Sequence, residues 1–257
     1  MLKQLLLPLL CFTVSANAYN TSDNQATQKN YQAVKWYRNS AERNANYIQT
    51  YKLAEEKILA KASKLKPHSW GVILDIDETI LDNSQYSYQN VINHTPYSTV
   101  SNYAFMESAT SVAIPGSVKF TCDIQKHNGY VVLVTNRNAK YKNSIIAATK
   151  RNLEKEGICF DTIIFSNDSS TAGNNSDKTP RFNAVKTGNY DGIILTKKIP
   201  AIKVLAYLGD NIQDFPNILQ KEAYQESNNL SYHDKFGEEY FILPNPVYGS
   251  FDKNIFQ

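Results

Sequence analysis

The sequence predicts an α/β protein with a doubly wound parallel sheet and a smaller helical lobe. Short runs rich in Val, Ile and Leu alternate with longer segments of helical periodicity, and several of the apolar runs end in polar residues. Such runs are typical of strands buried on both faces of a parallel sheet, where ligands bind at the carboxyl ends of the strands. The alternation favours a layered core with a site along one edge of the sheet.

The predicted elements follow one another along the chain. Strands are expected at 71–74, 130–134, 162–165, 204–208 and 241–243. Helices are expected from the Ile114-Pro115-Gly116 turn to about Lys126, at 142–156 before Gly157, and at 179–186. Two stretches have another character: 83–114 is an irregular or helical insertion over the site, and 166–177 is a polar loop long enough to be functional.

The segment 31–65 precedes the first strand and is predicted to be helical, since no glycine or proline interrupts it. Apolar residues recur in it at steps of three and four, which predicts a face that packs on the core. The stripe consists of Val34, Tyr37, Ala41, Ala45, Ile48, Ala54, Ile58 and Ala62. Together with the insertion, this segment makes up the predicted helical lobe.

The first 18 residues have the pattern of a secretory signal peptide. Lys3 precedes an apolar run at 5–14, and Ala16-Asn17-Ala18 offers a small-residue cleavage site. The apolar run is shorter than the roughly 20 residues that span a bilayer, which disfavours a membrane anchor. Cys11 follows a leucine rather than a small residue, so a lipid-anchored form is the less favoured alternative.

Cleavage predicts a mature chain of residues 19–257, exported to the periplasm or secreted. We expect it to form a single domain with its core at 70–250 and to contain no transmembrane segment. The sequence does not decide whether the protein is a monomer or a homodimer. The formal net charge of the whole chain is +3 and no basic block stands out, so nothing points to nucleic acid. Cys122 and Cys159 could form a disulfide in an oxidising compartment or remain two buried thiols.

The run from Gly71 to Thr79 carries the strongest chemical signal. Asp75 and Asp77 follow an apolar strand directly, so two carboxylates share a small volume where ligands bind. Carboxylates this close raise one another's pKa, which suggests a bound cation, a shared proton, or both. The alternative without a chemical function is a pair of solvated turn aspartates with Thr79 as a helix cap.

The residues around this pair resemble the first motif of the haloacid dehalogenase (HAD) superfamily, and more narrowly that of the class C bacterial acid phosphatases. The stretch reads Asp75-Ile76-Asp77-Glu78-Thr79, followed by Leu81-Asp82-Asn83-Ser84 and Tyr86. The resemblance extends from about Trp36 to Tyr248, with the motifs in the family's order. The segment 191–203 is longer than the family pattern. The resemblance implies a HAD-like core and the hydrolysis of phosphate monoesters.

Two further strand ends match the family's second and third motifs. Thr135, at the end of the second strand, would bind a phosphoryl oxygen, with Asn136 beside it, although a helix cap is the bland interpretation. Lys178, three residues before Arg181-Phe182, would screen the negative charges, with Lys186 as the runner-up. Arg181 is assigned to substrate binding.

The fourth motif is Gly209-Asp210-Asn211-Ile212-Gln213-Asp214-Phe215. Asp210 and Asp214 are spaced i, i+4, so a helix beginning there would turn both towards one cation. A capping Asp210 and a surface Asp214 are the bland alternative. The resemblance predicts that Mg²⁺ is held by Asp75, the backbone carbonyl of Asp77, Asp210 and Asp214.

The implied mechanism begins with attack of Asp75 on phosphorus, which forms an aspartyl-phosphate, while Asp77 protonates the leaving oxygen. Small phosphomonoesters are the expected substrates, with nucleoside 5′-monophosphates among them. In class C relatives aromatic rings clamp the base. The matching candidates are Tyr248 and, in the insertion, Tyr103 or a neighbour such as Phe105, although Tyr248 could simply pack on a terminal loop.

Other function classes are less favoured. The four histidines are scattered and no Gly-x-Ser-x-Gly motif occurs, which disfavours histidine phosphatases and serine hydrolases. A phosphotransferase acting on alcohols is an alternative that the residues do not separate from a hydrolase. A binding or storage protein without turnover is a second alternative, but its expected mark, a damaged nucleophile, is missing because Asp75 is intact.

Overall fold

The computed structural model describes residues 21–167, 177–220 and 233–253. The predicted signal peptide and its cleavage site lie outside these ranges, as does most of the polar loop predicted at 166–177. Within the described part of the chain, no helix combines the length and the apolar composition needed to cross a membrane.

A six-stranded sheet forms the centre of the fold, which confirms the predicted α/β class. Its strand order is β6-β5-β4-β1-β7-β8, and every neighbouring pair is parallel except β5 and β6. The strands are β1 (Trp70–Leu74), β4 (Tyr130–Asn138), β5 (Thr162–Ser166), β6 (Ile194–Leu195), β7 (Lys203–Gly209) and β8 (Tyr240–Ile242). A separate antiparallel pair consists of β2 (Leu81–Asp82) and β3 (Val112–Ala113).

Strand β1 is buried on both faces, as its apolar sequence predicted. Val72 and Leu74 contribute to the larger hydrophobic cluster, whereas Ile73, between them, points into a second cluster on the other face. This alternation follows from the two-residue period of a strand. Apolar residues therefore pack on both sides of the sheet, and the residues that follow Leu74 emerge at its centre.

The helices are α1 (Thr21–Asn39), α2 (Ala41–Ala62), α3 (Ser84–Ile92), α4 (Thr99–Ser108), α5 (Ser117–Lys126), α6 (Ser144–Lys155) and α7 (Thr179–Thr187). The insertion after the first motif contains α3 and α4, in agreement with the prediction of a helical segment. A disulfide joins Cys122 in α5 to Cys159 before β5, so the alternative of two free thiols was wrong.

The prediction of one continuous helix at 31–65 was wrong in one respect, because the helix is interrupted at Ser40. Ser40 adopts an extended conformation, and its side chain caps α2 by accepting a hydrogen bond from the Arg43 backbone N–H. The break changes the phase of the stripe. Arg43, Tyr47 and Tyr51 are buried, whereas the predicted Ala41, Ala45 and Ile48 are exposed.

Strand β6, a two-residue antiparallel edge strand in the long segment 191–203, was not predicted from the sequence. Two residues are too few to show an alternating pattern, and the pairing depends on β5, which lies thirty residues earlier in the chain.

Candidate active site

The loop after β1 brings Asp75 and Asp77 to the carboxyl end of the central strand. The Asp75 backbone N–H still donates to Leu208 O of β7 at 3.0 Å, so the strand pairing holds this residue in place. The chain then turns sharply: Glu78 has a φ of +55°, and the Ile76 carbonyl accepts hydrogen bonds from the next residues of the turn. This turn directs the two carboxylates to different partners.

The hydroxyls of two tyrosines of α2 bind backbone carbonyls of this turn. The Tyr47 hydroxyl donates to Glu78 O at 2.7 Å, and the Tyr51 hydroxyl donates to Thr79 O at 2.5 Å. Both rings are fully or almost fully buried. Carbonyls in a turn have no sheet partner, and these hydroxyls supply the donors that a buried carbonyl requires.

Asp75 is paired with Lys178, the residue assigned to the third motif. Lys178 Nζ lies 2.5 Å from Asp75 Oδ1 and 2.8 Å from Asp214 Oδ1, and its side chain is 1% exposed. Lys178 directly precedes α7 as its N-cap residue, so the N-terminal end of that helix places the ammonium group at the sheet edge. A lysine buried this deeply must be paired, which rules out a merely solvated Lys178.

Burial raises the pKa of the Asp75 carboxyl to about 7, aided by Asp214 and Asp77 and opposed by Lys178. Burial and the neighbouring Asp214 also raise the pKa of Asp210 well above its usual value. Burial is the largest cause of both shifts, and repulsion among carboxylates that share too little positive charge adds to it. A bound cation would remove that repulsion.

The fourth motif folds differently from the prediction. A 3-10 helix at Ile212–Asp214 replaces the expected α-helix, and Asn211 and Asp214 cap it reciprocally. Asp214 nevertheless turns back to the site, because Gly209 leaves room for it: a side chain at Gly209 would collide with Asp214. Asp210 accepts from Thr79 Oγ1 at 3.1 Å and from Asn245 Nδ2 at 2.9 Å.

Asp75, Asp210 and Asp214 form a cluster that could hold a metal ion. Each offers a carboxylate oxygen within 4.8 Å of the others. When all three carboxylates are ionised, their charges and that of the Lys178 ammonium sum to two negative charges, which one divalent cation cancels. Clustered carboxylate oxygens suit a hard cation such as Mg²⁺. The residues present therefore fit a divalent metal.

The Asp77 carboxylate turns away from this cluster. It is bound by Arg137, whose Nη2 lies 2.7 Å and whose Nε lies 3.1 Å from Asp77 Oδ1, and by Asn83 Nδ2 at 2.6 Å. Burial alone would raise the pKa of Asp77, but Arg137 and the hydrogen bonds outweigh it and hold the pKa below its usual value.

Three predicted substrate contacts lie together at the end of β4. Thr135 is fully buried, with its Oγ1 3.5 Å from Asp77 Oδ2. Arg181 reaches across from α7 and donates to Thr135 O at 2.5 Å and to Asn136 Oδ1 at 2.6 Å. Burial lowers the pKa of Arg181 to about 10, so its charge persists at neutral pH. Arg181 and Asn136 thus bind each other and join β4 to α7.

The two aromatic candidates differ in exposure. Tyr248 is 41% exposed, and its hydroxyl donates to the Glu78 carboxylate beside the catalytic turn. Tyr103 is only 8% exposed, its ring packs against Tyr141, and its hydroxyl accepts from the Asn138 backbone N–H at 2.8 Å. Tyr248 therefore offers ring surface at the site, while Tyr103 offers little.

Several residues at the site were not identified from the sequence, chiefly Arg137, Glu78, Asn83 and Asn245. Arg137 had a usable signal: it lies in the same strand as the buried run 131–135, two residues beyond Thr135, where a charged side chain requires a buried partner. Asn245 lies in the stretch Pro244-Asn245-Pro246-Val247-Tyr248-Gly249, which resembles the family's C-terminal pattern, but its contact with Asp210 joins loops after two different strands and had no local signal.

A family model described as "HAD superfamily, subfamily IIIB (Acid phosphatase)" matches residues 9–251, almost the whole sequence. The chain belongs to this family. The phosphatase is also similar to a solved structure of the class C acid phosphatase from Bacillus anthracis with tungstate bound, at 26% identity and a TM-score of 0.71. The match covers 88% of this chain and 87% of that one.

A second structure of the Bacillus anthracis class C acid phosphatase matches over the same shares of both chains, at 24% identity and a TM-score of 0.69, which supports the shared fold. The predicted resemblance is confirmed, and the chain is a phosphomonoesterase of the HAD class C type.

Proposed function

We propose that this phosphatase hydrolyses small phosphomonoesters with Mg²⁺ and through an aspartyl-phosphate on Asp75. The observation that carries the proposal is the Asp75 carboxylate at the end of the central strand, bound by Lys178 and clustered with Asp210 and Asp214. The test is phosphate release by the purified chain from a panel of monoesters with Mg²⁺ present. No release from any ester would contradict the proposal.

In the first step an Asp75 carboxylate oxygen bonds to phosphorus while the bond from phosphorus to the ester oxygen breaks. The departing alkoxide takes a proton from Asp77, whose lowered pKa makes the protonated, donating form the minor one in the resting site. In the second step Asp77 takes a proton from water, the water oxygen bonds to the same phosphorus, and the bond to Asp75 breaks. Inorganic phosphate leaves and both aspartates return to their starting states.

Positive charge is needed because a phosphoryl group and a carboxylate repel one another. Lys178 supplies one charge beside Asp75 throughout the reaction. Asp75, Asp210 and Asp214 would hold Mg²⁺, which when bound stabilises the charge on the transferring phosphoryl group. The Thr135 hydroxyl, buried beside Asp77, would donate to a phosphoryl oxygen, and the Arg181–Asn136 pair would hold that end of β4 in place.

Nucleoside 5′-monophosphates are proposed among the better substrates, because Tyr248 presents an exposed ring next to the catalytic turn. Stacking on an aromatic ring contributes about 1–3 kcal/mol per base, so Tyr248→Ala is expected to lower kcat/KM for a nucleotide roughly tenfold. A small aryl phosphate should lose less. Steady-state kinetics on both esters make the comparison.

Tyr248→Phe is the matched control, since it keeps the ring and removes only the hydroxyl that donates to Glu78. It should retain most of the preference for the nucleotide. Equal losses for the two esters in Tyr248→Ala would rule out base stacking.

We also propose that the phosphatase is exported and begins at Tyr19 after cleavage, since residues 1–18 have the composition of a signal peptide. Intact-mass analysis of protein from the envelope and medium fractions should give the mass of residues 19–257. A lipid-modified Cys11 would show instead that the chain is membrane-anchored.

A further inference from the structure

Arg137 is a charged residue inside the protein that the reaction steps above do not use. Its side chain is 0% exposed, whereas that of Asp77 is 17% exposed. The guanidinium therefore lies behind Asp77 and is shielded from solvent. In this structure the guanidinium presents no surface to a substrate, so the part assigned to it below acts through Asp77.

The guanidinium is held from two directions. Its Nε and Nη2 bind Asp77, and its Nη1 donates to Thr149 Oγ1 of α6 at 2.9 Å. Thr149 is itself fully buried. The planar fork of an arginine fixes the plane of the carboxylate it binds, which a lysine ammonium does not do.

The donors divide unequally between the two Asp77 oxygens. Oδ1 accepts from Arg137 Nη2 and Nε and from Asn83 Nδ2, at 2.7, 3.1 and 2.6 Å. Oδ2 has only longer contacts, with Arg137 Nε at 3.2 Å and Thr135 Oγ1 at 3.5 Å. Oδ1 already accepts three hydrogen bonds and has no lone pair free to hold a proton. Oδ2 is therefore the oxygen that can carry the proton.

The hydrogen bonds around Asn83 also fix the orientation of the Asp77 carboxylate. The Asn83 Oδ1 accepts from Ser111 Oγ at 2.6 Å, which fixes the amide so that its Nδ2 points at Asp77. Ser111 in turn exchanges hydrogen bonds with the Asn152 side chain of α6. One helix therefore orients both donors of the Asp77 carboxylate.

We propose that Arg137 is a positioning residue that orients the Asp77 carboxylate so that Oδ2 delivers the proton to the leaving oxygen. This inference rests on the proposed role of Asp77 in the reaction. The proton moves from Oδ2 to the ester oxygen as the bond from phosphorus breaks, and Arg137 keeps its own protons throughout.

The test compares two esters, because help from an acid matters most when the leaving group is a strong base. Glycerol phosphate has an alcohol as its leaving group, and para-nitrophenyl phosphate has a stabilised phenolate. The measured quantity is kcat/KM, which reports the transfer to Asp75 without the later hydrolysis. Arg137→Lys keeps the charge and loses the fork.

Arg137→Lys is expected to lower kcat/KM roughly a hundredfold for glycerol phosphate and less than about fivefold for para-nitrophenyl phosphate. Thr149→Val, which keeps Arg137 and removes its second anchor, should shift the ratio of the two esters in the same direction by about threefold or more. This second variant decides the question if Arg137→Lys does not fold.

Arg43→Lys is the matched control, since Arg43 forms another buried ion pair, with Asp82 at 2.7 Å, and does not contact Asp77. It should leave the ratio of the two esters unchanged. Asp77→Asn is measured in parallel and should show the same preference for the aryl ester. If Asp77→Asn shows the preference for the aryl ester and neither Arg137→Lys nor Thr149→Val shows it, the positioning role of Arg137 is overturned. If Asp77→Asn shows no preference, the proposed acid role fails, and the inference fails with it.

Discussion

Asp75→Asn is expected to lower kcat by on the order of 10⁴-fold or more, because an amide cannot form the aspartyl-phosphate. The fold should survive the change. Lys178 keeps its second partner, Asp214, at 2.8 Å, and the substitution removes one of the carboxylates that repel one another in the cluster. Initial rates of phosphate release and a thermal unfolding curve together measure both effects.

Asp82→Asn serves as the matched control for this variant. Asp82 lies on the same connection, pairs with Arg43 and has no contact with Asp75 or Lys178 in the described structure. Loss of the Arg43–Asp82 ion pair should lower the free energy of unfolding, while activity stays within a few fold of that of the parent protein. Appreciable turnover by Asp75→Asn, free of contaminating phosphatase, would show that another group attacks phosphorus.

Removal of the divalent metal should have the second largest effect. Chelation is expected to lower kcat roughly a thousandfold, since the metal supplies several kcal/mol of stabilisation in the transition state. Added Mg²⁺ should restore the rate. Because the charges of Asp75, Asp210 and Asp214 are only partly balanced by Lys178, the same metal should also stabilise the fold.

Thermal unfolding measures this binding without reference to turnover. At a Mg²⁺ concentration near 100 times Kd, the stabilisation is about 2.7 kcal/mol, or roughly 5–10 °C in Tm for a chain of this size. Asp210→Asn should remove most of the shift, whereas Asp234→Asn, outside the cluster, should retain it. An equal shift in both variants would place the metal elsewhere.

The central sheet and the cluster of motifs were predictable because their signals are local. The apolar run of β1 is short, contains β-branched residues and a glycine, and leads directly into the acidic pair, which together indicate a buried strand. The position of Lys178 was predictable only through the resemblance to a family, and that of Asp214 through the resemblance and its spacing from Asp210. Each lies more than a hundred residues from Asp75 in the sequence, and nothing in their neighbours indicates a buried ion pair.

Other features depended on contacts that no local pattern contains. Ser40 could equally have continued the helix, and only the packing of Arg43 between the rings of Tyr37 and Tyr47 shows why it does not. The 3-10 helix after Asp210 arises because Asn211 and Asp214 cap each other within a single turn. Arg137 and Asp77 lie 60 residues apart, so their pairing required the folded sheet.

The most direct measurement is peptide mass spectrometry of the phosphatase after rapid acid quenching during turnover of an excess of substrate. We expect one added phosphoryl group on the peptide that contains Asp75, with fragmentation locating it on that side chain. The group should be absent from Asp75→Asn and from enzyme quenched without substrate. A phosphoryl group on another residue, or none at any quench time in active enzyme, would contradict catalysis through Asp75.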